Sequence, residues 1–455
     1  MAHRYFLIGV LAAFCTLWSN HLHAQVVREI DPKKAEHGTL APPSSKLRQM
    51  MERGEQAQQM NVPNEMAPSP ITRDTTGKFI RISLLLPFDQ NYSSWKIYGY
   101  LNEEDPSKIE THRLKAATRE VFDYYEGFSY AVQQQPAAEN IQLFAFDSYS
   151  KDSILEEVLH NDTIKASDII IGPGTASQAK ITGAFCKKNH IINIQPLVAS
   201  KSIVNENPYL VRLLPTIDAH MQKIFETIRD SFTSGNVIIY TTKRERDIVA
   251  AKAIDSLFRN YNATHDERIR VFFINAGDTT KSAKEKSIAN YLSPRGKNVV
   301  VLCCYDETLV NSTIRQFDGE VALFGMPTWT EAEQIRPDIL SRAQPFFTDP
   351  FYADTTSDDL KAFERQYETD NGHYPSKYAY LGYDTWNYLN KLLQTYGIDF
   401  RAHLTEMPFS GKGYNFQMVE IKKPSKQGGA IVTGHYENTG MHLFKIEDYQ
   451  IHRVD

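Results

Sequence analysis

Cysteine is scarce, at four in 455 residues. One of them, Cys15, lies in the amino-terminal apolar run, which leaves Cys186, Cys303 and Cys304 for the body of the chain. An odd number of thiols is a poor basis for a disulfide framework. Cys303 and Cys304 are neighbours in a strand-like run, point to opposite faces and cannot bridge without distorting the backbone. All three read as buried small hydrophobes. No His-Glu-x-x-His occurs, and His435 and His442 lack the Cys or acid spacing of a zinc site, so no metal is expected. Neither sign of charge dominates: the net charge is −5, or −6 without Arg4, and nothing favours nucleic acid as a partner. No carboxylate pair stands out as an acid/base couple, and no cofactor motif survives inspection. Gly172-Pro173-Gly174-Thr175-Ala176-Ser177 imitates a dinucleotide fingerprint, but Ser177 replaces the third glycine and Pro173 removes a phosphate-facing N–H. Ser177-Gln178-Ala179-Lys180 matches the Ser-x-x-Lys pattern of acyl-transferring serine enzymes, yet the chain has no Lys-Thr-Gly or Lys-Ser-Gly partner. A hydrolase would rest on that coincidence alone, and the protein is read as non-enzymatic.

What is present begins with a basic start (His3, Arg4), an apolar run over residues 5–18 and a small residue, Ala24, before Gln25. This is the layout of a secretory signal peptide cleaved after Ala24, and an apolar core of about 14 residues is short for a bilayer span. The bulky Phe14 before Cys15 departs from a lipoprotein signal. Residues 25–77 are rich in Pro, Gln, Met, Glu and Lys without an apolar period, and read as a disordered leader. With 42% apolar residues, the rest has enough to fill two cores.

From residue 78 the chain alternates short β-branched runs with helix-length segments, the pattern of a mainly parallel sheet flanked by helices. The centre of the pattern is Asp168-Ile169-Ile170-Ile171, stopped by Gly172-Pro173, then a helix, then Ile191-Ile192-Asn193-Ile194. Two buried runs joined by a helix imply a right-handed crossover, which puts the 172–177 loop at the carboxyl edge of the sheet, where open α/β sheets bind ligands. Free N–H groups at the helix start and the hydroxyls of Thr175 and Ser177 suit an anion such as a carboxylate. A helix is also expected over residues 281–291, and antiparallel strands or an extended edge over the Gly- and Tyr-rich tail 413–454. A polar insertion spans residues 89–113.

Ile170-Ile171-Gly172-Pro173-Gly174-Thr175-Ala176-Ser177, Phe185-Cys186-Lys187-Lys188-Asn189-His190-Ile191-Ile192, Gln195-Pro196 and Pro208-Tyr209-Leu210-Val211-Arg212-Leu213 together resemble the first-lobe pattern of the type I periplasmic binding proteins, the group of the leucine/isoleucine/valine receptors. Gln344-Pro345-Phe346-Phe347-Thr348-Asp349-Pro350-Phe351-Tyr352 resembles the family's hinge-crossing strand, and Ala379-Tyr380-Leu381-Gly382-Tyr383-Asp384-Thr385-Trp386 a helix that follows it. Phe122-Asp123-Tyr124-Tyr125-Glu126-Gly127-Phe128 resembles a branch whose binding domain trails LysM repeats, and no such repeat is visible in the leader.

The resemblance implies an α/β fold of two lobes joined by a hinge, with a small polar ligand, an amino acid or amide, clamped between them. The implied organisation is signal peptide 1–24, leader 25–77, first part of lobe 1 over 78–215, lobe 2 over 216–343, a return to lobe 1 over 344–411 and strands completing both lobes over 412–455. By the same resemblance, Thr175, Ser177, Ala199 and Ser200 hold the ligand's carboxylate. Tyr240, Thr241, Tyr305 and Asp306 close from lobe 2, with Asp306 pairing an ammonium group. The implied setting is the periplasm, with an inner-membrane permease or an envelope protein as partner. The leader and the insertion fit an alternative, an envelope interaction or regulatory protein that keeps the fold without transporting a solute.

Overall fold

A computed structural model describes residues 79–89 and 116–455, apart from 139, 205, 233, 318–320, 333 and 425–430. The signal peptide, the leader and residues 90–113 of the insertion lie outside the described residues. Among the described residues no helix is long and apolar enough to cross a membrane.

The first apolar run forms β1 (Ile80–Leu86), which pairs in parallel with β2 (Ile141–Asp147) on one side and β3 (Ile169–Ile171) on the other. The helices between them are α1 (Ala116–Gln134), α2 (Asp152–Val158) and α3 (Asp162–Lys165). The expected crossover follows, with α4 (Ala176–Asn189) leading to β4 (Ile192–Gln195), parallel to β3. The sheet continues with β5 (Leu210–Arg212). The tail supplies its far edge, β13 (Met418–Pro424) and β14 (Ile431–Asn438), giving the order β13-β14-β5-β4-β3-β1-β2.

The second sheet starts after α5 (Ile217–Ser231), which Thr216 caps by accepting from the Ala219 N–H. Strands β6 (Val237–Thr241), β7 (Val271–Asn275), β8 (Val299–Cys303), β9 (Ala322–Phe324) and β10 (Phe346–Asp349) alternate with α6 (Glu245–Thr264), α7 (Glu307–Ile314) and α8 (Pro337–Ala343). The tail hairpin β15 (His442–Glu447) and β16 (Gln450–Arg453) completes the order β16-β15-β10-β9-β8-β6-β7. Strands such as Val299–Cys303 are buried along their whole length because helices cover both faces. Cys186, Cys303 and Cys304 are buried free thiols.

Two sequence expectations shift. β10 pairs with β9 and β15 of the second sheet, so the chain changes sheets after Asp349 rather than at Gln344. Residues 281–291 form turns ending in a short 3-10 segment, Ile288–Tyr291. Only Ile288 there is buried, and Ser282 is tied to the Glu285 carboxylate by both its N–H and hydroxyl, so no apolar stripe offsets the cost of a helix.

The return to the first sheet brings α9 (Asp358–Asn371), capped by Ser357, and α10 (Lys377–Tyr396), capped by Ser376. α10 lies directly on α1. A Cβ on Gly127 would sit 1.9 Å from the Ala379 carbonyl oxygen, and one on Gly382 would sit 1.9 Å from the Tyr124 carbonyl oxygen. Glycine at both positions lets the backbones touch, which seats Phe128 against Trp386 with ring centroids 5.5 Å apart. Buried Asp384 of α10 then accepts from the N–H groups of Lys412, Gly413 and Tyr414 at 2.8, 2.9 and 2.8 Å. It thereby fixes the turn before β12 (Asn415–Phe416), which pairs with β11 (Phe409–Ser410).

Candidate functional site

The first sheet places its candidate residues on two loops at the carboxyl ends of adjacent strands. Gly172 follows β3 with φ 102, where a Cβ would meet the Leu85 carbonyl oxygen at 2.1 Å, so only glycine fits the sharp exit. Its carbonyl accepts from Asn193 Nδ2 at 3.0 Å and from Gln195 Nε2, both buried in β4. Thr175 is the cap of α4, accepting from the Gln178 N–H at 3.3 Å. A hydroxyl that accepts from the backbone still has its own proton to donate. Ser177, expected on sequence grounds to share that role, instead donates to the Asp152 carboxylate across the loop. It must leave Asp152 to donate elsewhere. After β4, Ala199 and Ser200 are exposed. Ser200 accepts from the Ser202 N–H at 3.2 Å and opens a 3-10 turn, while the Ala199 carbonyl accepts from Arg212 Nη2 at 2.5 Å.

The second sheet repeats the arrangement at the carboxyl ends of β6 and β8, adjacent strands in which Thr241 lies opposite Cys303. Tyr240 is half-buried and Thr241 buried. Tyr305 is half-buried under Arg246, whose guanidinium carbon stands 4.6 Å from the ring centroid and whose Nη2 donates to the Tyr305 carbonyl at 3.2 Å. Burial pushes the Tyr305 phenol up to about 12 and raises that of Tyr240, so both remain protonated donors at neutral pH. Asp306 caps α7 by accepting from the Leu309 N–H at 3.0 Å, and Arg244 Nη2 lies 2.5 Å from its other oxygen. That backbone bond and the Arg244 charge hold its carboxyl below the usual range. Each carboxylate oxygen has a second lone pair, so an arriving ammonium would share Asp306 with Arg244 rather than meet a bare anion.

The structure thus places Thr175, Ser177, Ala199 and Ser200 on the segments that follow β3 and β4 of the first sheet, and Tyr240, Thr241, Tyr305 and Asp306 at the carboxyl ends of β6 and β8 in the second. Sequence reasoning passed over Arg244 and Arg246, although the run Lys243-Arg244-Glu245-Arg246 directly after an apolar strand is visible in the sequence. It also passed over Gln195 and Arg212, whose polar character inside otherwise apolar strands was the available signal. The Ser-x-x-Lys coincidence finds no support in the hydrogen bonding, since the Ser177 hydroxyl donates to Asp152. Among the described residues no cluster of His, Cys, Asp or Glu could hold a metal ion.

No protein-family model matches the chain, and no curated protein matches its sequence. Solved structures do match. A Rhodospirillum rubrum protein assigned to branched-chain amino acid ABC transport superposes with a TM-score of 0.56 at 11% identity, covering 83% of this chain and 100% of its own. An ABC transporter substrate-binding protein from Desulfitobacterium hafniense, in complex with Leu, gives 0.52 at 14% identity over 82% and 99%. LpoA from Haemophilus influenzae gives 0.50 at 12% identity over 83% of this chain and 59% of LpoA. These likenesses, with two mainly parallel sheets flanked by helices, agree with the resemblance carried by residues 170–213: the chain has the two-lobed α/β fold of the type I periplasmic binding proteins.

Proposed function

We propose that the protein is a periplasmic solute-binding protein that closes on a small polar ligand, an amino acid or related amide, for uptake or sensing. The observation that carries this reading is that hydroxyl-bearing loops follow β3 and β4 in one sheet, while an aromatic and carboxylate set stands at the carboxyl ends of β6 and β8 in the other. The first set offers donors to a carboxylate, from Thr175, Ser177 and the backbone around Ala199 and Ser200. The second offers Tyr240, Thr241 and Tyr305, with Asp306 for an ammonium. The fold likeness to a substrate-binding protein solved with Leu supports the same ligand class. On this reading the chain is exported, cleaved after Ala24, and delivers its ligand to an inner-membrane permease or reports it to an envelope protein.

A second reading, an envelope interaction or regulatory protein that has lost solute binding, is favoured by one feature of the site. Ser177 is engaged by Asp152 and Asp306 by Arg244, so two of the groups a ligand would need already have partners. Thermal unfolding of wild type and of a Thr175→Ala/Ser177→Ala variant, each with and without a panel of amino acids, separates the two. Only a molecule that binds the native state raises the midpoint. A shift in wild type that disappears in the variant supports solute binding, and no shift with any solute supports the interaction protein.

A further inference from the structure

We propose that Arg212 is a positioning residue that ties the ligand loops of the first sheet to the segments crossing to the second. A solute held at those loops would then be felt where the chain changes sheets. This rests on the solute-binding reading of the loops after β3 and β4.

Gln195, Arg212 and Glu437 stand in register on the adjacent strands β4, β5 and β14. Register partners in parallel strands share a face, so the three side chains form one row. Gln195 and Arg212 are 0% exposed and Glu437 8%, which for the two charged groups is rare unless they are paired. Each end of the row holds something outside the strands. Gln195 Nε2 donates to the carbonyl of Gly172, the start of the first ligand loop. Arg212 Nη2 donates to the carbonyl of Ala199 in the second. Arg212 Nη1 lies 3.6 Å from Glu437 Oε2, and the other Glu437 oxygen accepts from the hydroxyl of Thr216, the cap that starts α5. The next residue, Asn438, donates to the carbonyls of Leu213 and Asn415 at 2.9 and 3.0 Å, and its Oδ1 accepts from the Gly440 N–H at 2.8 Å. Two of the segments that pass between the sheets, 213–216 and 438–441, are therefore fastened to the same row that holds the ligand loops.

Packing alone does not call for arginine here. The same face carries Leu210, beside Val198, Ile203 and Ala179, where an aliphatic side chain would avoid the desolvation of a buried charge. The guanidinium is suited because its planar fork can reach a loop carbonyl and a carboxylate at once. Removing Glu437's charge would take away the fork's first charge partner and leave it the Ala199 carbonyl and the charge of Asp218. Arg212 would then turn toward other acceptors, and the 199–203 loop would loosen although nothing in it had been changed.

The test is amide hydrogen exchange on Glu437→Gln, Arg212→Met and the double variant, with Arg212→Lys replacing Arg212→Met should that fail to fold. The reporting amides are Ser202 and Val204, bonded to Ser200 Oγ and the Lys201 carbonyl, with β6 and β8 as internal controls. Glu437→Gln should speed exchange of Ser202 and Val204 at least tenfold while the controls hold. The double variant should exceed Arg212→Met by less than twofold, because residues acting in one network are not additive. Wild-type exchange in Glu437→Gln, or additive effects in the double variant, would overturn the proposal. In parallel, thermal unfolding with L-leucine as probe should show a shift in wild type that is lost in Glu437→Gln, which leaves Thr175 and Ser177 intact. Absence of any shift in wild type counts against solute binding, and the exchange result then decides the role of Arg212 alone.

Discussion

Replacing Gly382 by alanine tests the contact on which the first lobe's helical layer depends. The new Cβ would lie 1.9 Å from the Tyr124 carbonyl oxygen and 2.7 Å from the Phe128 nitrogen. Both atoms are backbone of α1, so no side-chain rotation relieves the overlap, and the two helices must separate. Alanine gains about 1 kcal/mol of helix propensity over glycine, whereas overpacking a core costs about 1–3 kcal/mol and more when the obstacle cannot move. Separation also withdraws Phe128 from Trp386, and Trp386 is 0% exposed with its Nε1 donating to the Gln135 carbonyl at 2.8 Å. The net loss is about 2 kcal/mol, which at roughly 2–4 °C per kcal/mol for a lobe of this size lowers its midpoint by about 4–8 °C. Differential scanning calorimetry of wild type and Gly382→Ala reads this directly, with Gly397→Ala as a contrasting site where a Cβ would meet nothing within 4 Å but φ is 59. A Gly382→Ala midpoint equal to or above wild type would refute the account of the α1–α10 contact.

Other consequences follow from buried polar groups. Asp384→Asn should cost about 2–4 kcal/mol, since an amide can accept from only part of the N–H trio and leaves a buried donor unpaired, and the loss should appear as faster exchange of the Gly413 and Tyr414 amides. His220 is buried against the Thr348 hydroxyl at 2.8 Å, and burial lowers its pKa to about 4. The unfolded chain therefore binds more protons between pH 4 and 6.5, stability rises with pH across that window, and His220→Gln should flatten that slope in urea midpoints. Burial raises Asp384 to about 6 against its backbone hydrogen bonds, the opposite case. The native state then binds the extra proton between pH 3.8 and 6, stability falls with pH there, and the Asp384→Asn difference curve should slope accordingly.

Much of the fold was legible because its signals are local. Short β-branched runs mark the strands, and Thr216, Ser357 and Ser376 cap their helices as hydroxyl residues commonly do. The 281–291 segment was misread because lysine-rich spacing permits a helix without supplying an apolar face to pack it. The change of sheets at Asp349 was placed early, since nothing local to Gln344 reveals that β10 pairs with β15 a hundred residues later. The same limit applies to the candidate site. Thr175 was legible as a hydroxyl at a helix start, but the engagement of Ser177 by Asp152 and of Asp306 by Arg244 joins residues distant in sequence. The row Gln195, Arg212 and Glu437 exists only through the pairing of three strands, one of them drawn from the tail.

Isothermal titration calorimetry of the purified protein with L-leucine, the remaining amino acids and simple amides reads whether the loops after β3 and β4 hold a small polar solute. At least one of them should bind saturably, one to one. In Thr175→Ala/Ser177→Ala that binding should weaken at least tenfold, because the Thr175 hydrogen bond to a charged group is worth about 1.5–3 kcal/mol, while that of Ser177 is offset by the bond it gives up to Asp152. A folded wild-type protein that gives no heat of binding with any of these solutes, or a double variant that binds as tightly as wild type, would contradict solute binding at these loops.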